Sequence, residues 1–318
     1  MSGSALDPDT VSGRSLGRMD SIVIDGRVRT FTVVGEREGP AGRPLVIVLH
    51  GSRQTAAGHR RFTGGAWDAL AADGGAVVAF LDGYRGHWND ARRGSAFPAR
   101  TEGVDDVAFV RAVVAELAAS HRIDPARVLG GGYSNGGQLV LRILHEAPEV
   151  LAGAVLIGAT MPAGEDFLAP TPIPAPAPVP ILLVHGTDDP IVPSEGGRHP
   201  RWVRRILGVD GVGLSAPDTA RYFARRNGIE TPPVSVPLTT AGRHQRTWTE
   251  QTDHRQDGHP PVRLLTVHRG GHTVPGPGRA PFILGRTERR FSTAAATDAF
   301  LGITTGSSTS SRPRVESP

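Results

Sequence analysis

The 318-residue chain contains no cysteine and no lysine, all 35 of its basic residues being arginine. Without cysteine it forms no disulfide, offers no thiolate nucleophile and binds no metal through a thiolate. Without lysine it can form no Schiff base and has no phosphate-cradling P-loop lysine. Long apolar runs are missing too, since no stretch approaches the roughly 18 residues of a membrane span. The first twenty residues lack the apolar core of a secretory signal. The expectation is therefore a soluble, cytoplasmic protein with no membrane partner, secretion by another route being the alternative. An excess of one charge sign is also absent: the net charge is only +4. Arginine clusters at 201–205 and 221–226 read as solvated helix faces, and no nucleic-acid partner is expected.

A hydrophobic content of 38% suffices for a core. Residues 1–20 and 304–318 are rich in Ser, Thr, Gly, Arg and Pro and are expected to be disordered, leaving one domain over 21–303. Alternating runs around Asp25-Gly26 predict a hairpin. The apolar run 45–49 predicts a strand buried on both faces. Then come a helix near 66–72, a strand at 76–81, a helix over 104–121, and strands at 127–131, 151–157, 181–185 and 262–267. This alternation implies an α/β fold, a mostly parallel, doubly wound sheet with its site at the carboxyl ends of the strands. Two segments interrupt it: proline-rich 162–180, expected to run extended over the surface, and an insertion at about 194–261, carrying a helix near 217–227 and a hairpin near Ala241-Gly242.

Between the strand ending at 131 and a helix from Asn135 to Ala147 lies Gly132-Tyr133-Ser134-Asn135-Gly136, which reads as a G-x-S-x-G nucleophile elbow. A serine hydroxyl is a poor nucleophile, so a strained turn must lift Ser134 clear of the sheet. Small neighbours permit that turn. The Asn135 amide then lies at a helix N-terminus, where it can stabilise an oxyanion. Downstream, Asp188-Asp189 follows the strand at 181–185 and Gly270-Gly271-His272 follows the strand at 262–267. The order Ser134, Asp, His272 is that of an α/β-hydrolase triad, in which the histidine takes the serine proton and the aspartate fixes its tautomer. The second oxyanion amide is expected in the loop after 45–49, from Ser52 first and Arg53 second. His50 and His185 read as hydrogen-bonded structural residues. Tyr133, Trp88 and Arg53 are candidate substrate-binding residues. His254, His259 and His268 make no zinc spacing, so no metal site is expected.

With these residues in place, the chain resembles the polyhydroxybutyrate depolymerase and feruloyl/acetylxylan esterase family of α/β-hydrolases, also called LpqC-like. The resemblance is carried by Leu49-His50-Gly51-Ser52, Trp88-Asn89-Asp90, the helix start Val104-Asp105-Asp106-Val107-Ala108-Phe109 and Ile123-Asp124-Pro125-Ala126-Arg127-Val128. It continues through the elbow to Gly137, His185-Gly186-Thr187-Asp188-Asp189-Pro190-Ile191-Val192-Pro193 and Gly270-Gly271-His272-Thr273-Val274-Pro275-Gly276. It runs from about 45 to 301. It implies ester hydrolysis without metal or organic cofactor, and it matches the triad acid to Asp189, whose following Pro190 also favours an extended, stiffened loop. The same triad serves peptidases, thioesterases and acyltransferases, and a noncatalytic hydrolase-like binding protein would also share the fold. Family members often have Trp where Val274 stands, and the stretch 196–212 is atypical. Both differences predict a smaller apolar wall and a preference for short acyl groups.

Overall fold

The computed structural model describes residues 17–168, 177–242 and 246–304. The chain opens with a hairpin of β1 (Arg18–Ile24) and β2 (Arg27–Val34), followed by β3 (Arg43–Leu49), whose seven residues are all buried. Helix α1 (Ala56–Phe62) and a 3-10 segment (Ala66–Gly74) lead to β4 (Val77–Leu81). The short α2 (Pro98–Thr101) precedes α3 (Asp106–His121), capped by the Asp105 side chain on the Ala108 amide at 2.8 Å. Then come β5 (Ile123–Tyr133), α4 (Asn135–Glu146), β6 (Gly153–Ile157) and β7 (Ile181–Gly186).

After β7 the chain leaves the sheet through the two-residue strands β8 (Gly197–Arg198) and β9 (Val212–Gly213), with α5 (Arg201–Leu207) between them. It returns through α6 (Ala216–Arg226) and the strands β10 (Val234–Thr239), β11 (Trp248–His254) and β12 (Val262–His268), and α7 (Thr293–Leu301) closes the fold.

Among the described residues one sheet has the order β1-β2-β4-β3-β5-β6-β7-β12-β11-β10. The six central strands from β4 to β12 are parallel and the outer pairs antiparallel. Alternate residues of the central strands feed two cores. Leu45, Ile47 and Leu49 pack with α3, α4 and α6 on one face, while Val46 and Val48 pack with the 3-10 segment and α7 on the other. The winding direction reverses at β3, so a crevice opens beyond the carboxyl ends of β3 and β5.

Several expectations shift. The first strand begins at Arg18, inside the stretch expected to be disordered, while 1–16 and 305–318 lie outside the described residues. Residues 169–176 of the proline-rich connection lie outside them as well. Much of the expected insertion is part of the main fold: β10 and β11 extend the sheet and α6 packs on β12. Among its described residues only 194–215 stands apart, on a small core of Val203 and Val209 against Phe97. Val274 is buried in the second core, with Trp67 and Tyr133, and so does not shape a cleft wall.

Candidate active site

Strand pairing brings the two key loops together. In the parallel register Leu49 lies beside Gly132, so the loops that follow, His50-Gly51-Ser52 and Tyr133-Ser134-Asn135, leave the sheet side by side. Ser134 sits at φ 54°, ψ −116°, a conformation that costs a non-glycine residue about 1–3 kcal/mol. Its amide is anchored on the Ile157 carbonyl at 2.8 Å. The turn is tight enough that a Cβ on Gly132 would stand 2.4 Å from the Gly136 carbonyl, and one on Gly136 would stand 2.3 Å from the Leu49 oxygen. The elbow glycines are thus required by contact between helix α4 and the ends of β3 and β5.

His272, after β12, lies between Ser134 and Asp189, which follows the adjacent β7. Its Nδ1 is 2.6 Å from Asp189 Oδ2 and its Nε2 is 2.9 Å from Ser134 Oγ. A carboxylate only accepts, so Nδ1 carries the proton and Nε2 is left to accept from the serine hydroxyl. The other carboxylate oxygen, Oδ1, accepts the Ile191 and Val192 amides at 2.8 Å each. Burial alone would raise the Asp189 pKa. Attraction and a hydrogen bond from His272, with help from His185 and the Val192 amide, hold it below the usual carboxylate range instead. Asp188 points outward, half-exposed, 3.7 Å from Arg286. Behind the His272 ring lies Gly158 at φ 56°, where a Cβ would come within 3.0 Å of the imidazole.

Among the described residues no hydrogen-bond acceptor is seen for the backbone amide of Asn135, at the N-terminus of α4, or for that of Ser52, in the loop after β3. The Arg53 amide, by contrast, is given to the Gly86 carbonyl at 2.8 Å.

Comparison with known proteins places the chain in a family. The family described as Phospholipase/Carboxylesterase matches residues 101–201, which include the elbow and Asp189. "Putative esterase NocK" of Nocardia uniformis subsp. tsuyamanensis is 31% identical over 296 residues, covering 88% of this chain and 81% of that protein. The chain belongs to the α/β-hydrolase esterase family. Feruloyl esterase B of Piromyces equi is 26% identical over 235 residues, which cover 74% of this chain but 40% of that protein. Poly(3-hydroxyalkanoate) depolymerase C of Paucimonas lemoignei is 31% identical over 119 residues, 37% of this chain and 28% of that one. These relatives represent the expected branch of the family. In fold, the chain is similar to the acetyl xylan esterase from Aspergillus awamori, with a TM-score of 0.56 at 12% identity over 90% of this chain and 100% of that one.

In this esterase two expected substrate contacts turn out to be internal braces. Trp88 is fully buried. Its backbone amide donates to Asn135 Oδ1 at 2.9 Å and its indole N–H to the His50 carbonyl at 2.8 Å, so it joins the two loops beneath the crevice instead of lining it. Asn135 Nδ2 in turn donates to Asp90 at 2.6 Å, and the Asn89 amide donates to Asp106 at 2.6 Å. The Trp88-Asn89-Asp90 run therefore holds the elbow in place. Tyr133 is buried as well: its ring lies 5.0 Å from the His272 ring, and its hydroxyl donates to the His272 carbonyl at 2.7 Å. Tyr133, the last residue of β5, thus braces His272 through both its ring and its hydroxyl. Arg53 does stay exposed at the rim, its guanidinium 3.1 Å from the Ile206 carbonyl of α5.

His185 Nε2 donates to the Val192 carbonyl at 3.0 Å and lies 3.7 Å from Asp189, lining the buried side of the carboxylate. Burial pushes its pKa down despite that neighbour. One helical turn beyond Ser134, a cavity of about 20 Å³ is bounded by Gln138, Thr160, Val192 and His199, with Arg92 beside them. Glycines 196, 197 and 213 of the 194–215 excursion form its outer wall. Among the described residues no helix is long and apolar enough to cross a membrane.

Proposed function

We propose that this esterase cleaves small-acyl carboxylic esters through an acyl-enzyme on Ser134. The observation that carries the reading is the continuous line from Ser134 Oγ through His272 to Asp189, at 2.9 and 2.6 Å, on a strained elbow. Ser134 attacks the ester carbonyl while His272 Nε2 takes its proton. The Ser52 and Asn135 amides receive the oxyanion, and the protonated His272 returns its proton to the departing alcohol. Water activated by the same histidine then releases the acid. Asp189 keeps the imidazole in the required tautomer and stabilises its charged form. Side chains and backbone supply every step, so the reading uses no metal or organic cofactor. The small size of the cavity at Gln138, one helical turn from Ser134, supports small acyl groups.

Labelling with a fluorophosphonate probe, lost in Ser134→Ala, tests the nucleophile. A panel of p-nitrophenyl esters from acetyl to dodecanoyl, with cinnamoyl and 3-hydroxyacyl esters drawn from the names of the relatives, tests the substrate class. The specificity constant should fall as the acyl chain lengthens. A preference for twelve or more carbons refutes the small-acyl assignment, and an unlabelled Ser134 refutes the nucleophile.

A further inference from the structure

The His50 imidazole takes no part in the line from Ser134 to Asp189, yet it is buried with both ring nitrogens engaged. The Gly83 amide donates to Nε2 at 2.9 Å, so Nε2 must keep its lone pair and the ring proton must sit on Nδ1. Nδ1–H then donates to the carbonyl of the next residue, Gly51, at 2.7 Å. Trp88 clamps the ring from the side, with centroids 4.9 Å apart, and its indole N–H holds the His50 carbonyl.

The Gly51 carbonyl and the Ser52 N–H are the two ends of one peptide plane, and in a trans peptide they point in opposite directions. Whatever holds the carbonyl inward aims the amide outward. This peptide needs such a hold. A Cβ at residue 51 would come within 2.8 Å of the Tyr133 ring, so the position is restricted to glycine, and glycine leaves the peptide free to rotate. Rotation would present a carbonyl oxygen to the developing oxyanion and repel it. The Gln54 amide reaches the same Gly51 oxygen only at 3.3 Å, a weaker restraint.

We propose that His50 is the positioning residue of the oxyanion hole, its Nδ1–H gripping the Gly51 carbonyl so that the Ser52 amide faces the reacting carbonyl. The inference rests on the acyl-enzyme reading above. Burial pushes the His50 pKa down to about 4, which keeps the ring in its neutral form at neutral pH.

The test compares His50→Asn, whose side-chain amide can replace the Nδ1 donor, with His50→Gln, whose amide reaches only the Nε2 position. Loss of one oxyanion donor costs roughly 10²- to 10³-fold in turnover. His50→Gln should therefore lose about 10²-fold in kcat on p-nitrophenyl acetate with KM little changed, and should bind phenylboronic acid, a tetrahedral adduct former, correspondingly more weakly. His50→Asn should recover most of both. Equal losses in the two variants, or a kcat loss without a boronate loss, overturn the positioning role. A measurement on the unaltered protein needs neither turnover nor a folded variant: ¹⁵N NMR should find His50 protonated on Nδ1 at neutral pH, and a proton on Nε2 overturns the inference. A wild type that hydrolyses no ester while keeping that tautomer counts against the acyl-enzyme reading instead.

Discussion

Replacing each of the adjacent aspartates by asparagine should separate them by orders of magnitude. In Asp189→Asn the side chain keeps its shape, but its orientation is dictated by the Ile191 and Val192 amides, which need an acceptor where Oδ1 now lies, 2.8 Å from each. The new amide oxygen must take that place, which turns its NH₂ toward His272 Nδ1, 2.6 Å away in the native pair. Two donors cannot face each other, so the imidazole proton moves to Nε2 and the ring can no longer accept from Ser134. The same change in a serine protease costs roughly 10⁴ in turnover, about 5.5 kcal/mol of transition-state stabilisation. Asp188 has no such task. Its half-exposed pairing with Arg286 at 3.7 Å is of a kind worth at most about 1 kcal/mol. Asp188→Asn should therefore change turnover by less than about fivefold. Initial rates on p-nitrophenyl acetate at neutral pH, with circular dichroism to show that both variants fold, decide the matter. A dead Asp188→Asn enzyme, or an Asp189→Asn enzyme within tenfold of wild type, refutes the assignment.

Ser134→Ala and His272→Ala should each lower kcat by roughly 10⁴- to 10⁶-fold, and the double variant should be hardly worse, because triad members act as a unit; additive losses in steady-state kinetics would contradict the shared role. Tyr133→Phe removes a buried donor from the His272 carbonyl and should cost about 1–3 kcal/mol of stability by urea denaturation, with the fold retained. Glu288 is buried beyond His272, where it accepts from Arg290 and its own carbonyl holds the Gly276 amide. Burial alone would raise its pKa, but the bonds from Arg290 outweigh this and lower it from 4.5 to about 2. That drop corresponds to about 3 kcal/mol of stability, fully present above the unfolded value near 4.5 and lost as the pH falls toward 2. Glu288→Gln should then be destabilised by about that amount at pH 7, and the gap in urea midpoints should shrink by roughly half near pH 3. A gap that does not change with pH would show that the carboxylate charge is not the source.

The fold class is legible in the sequence alone, and so are three residues that the structure brings into one line. Each depends on local signals: alternating strand and helix patterns, glycines flanking a serine, and the chain order of Ser134, an aspartate and His272. The hairpin at Asp25-Gly26 and the α3 start at Asp105 are equally local, since turn and cap chemistry act within a few residues. The choice of Asp189 over Asp188 was legible through family resemblance and the following proline, and the structure adds the two amides that fix its orientation. The remaining roles depend on contacts between distant segments. Trp88 and Tyr133 look like cleft aromatics in one dimension, because burial and partners come from strands distant in sequence. In the fold the first ties the His50 and Asn135 loops together and the second props up His272. Val274 suggests a cleft position and is core, and β10 and β11 fall in an apparent insertion and are sheet, since edge strands show their exposure only once their neighbours are known. The proton on His50 is likewise invisible in the chain. It is fixed by the Gly83 amide, 33 positions away, at a point where β3 and the loop after β4 leave the same end of the sheet.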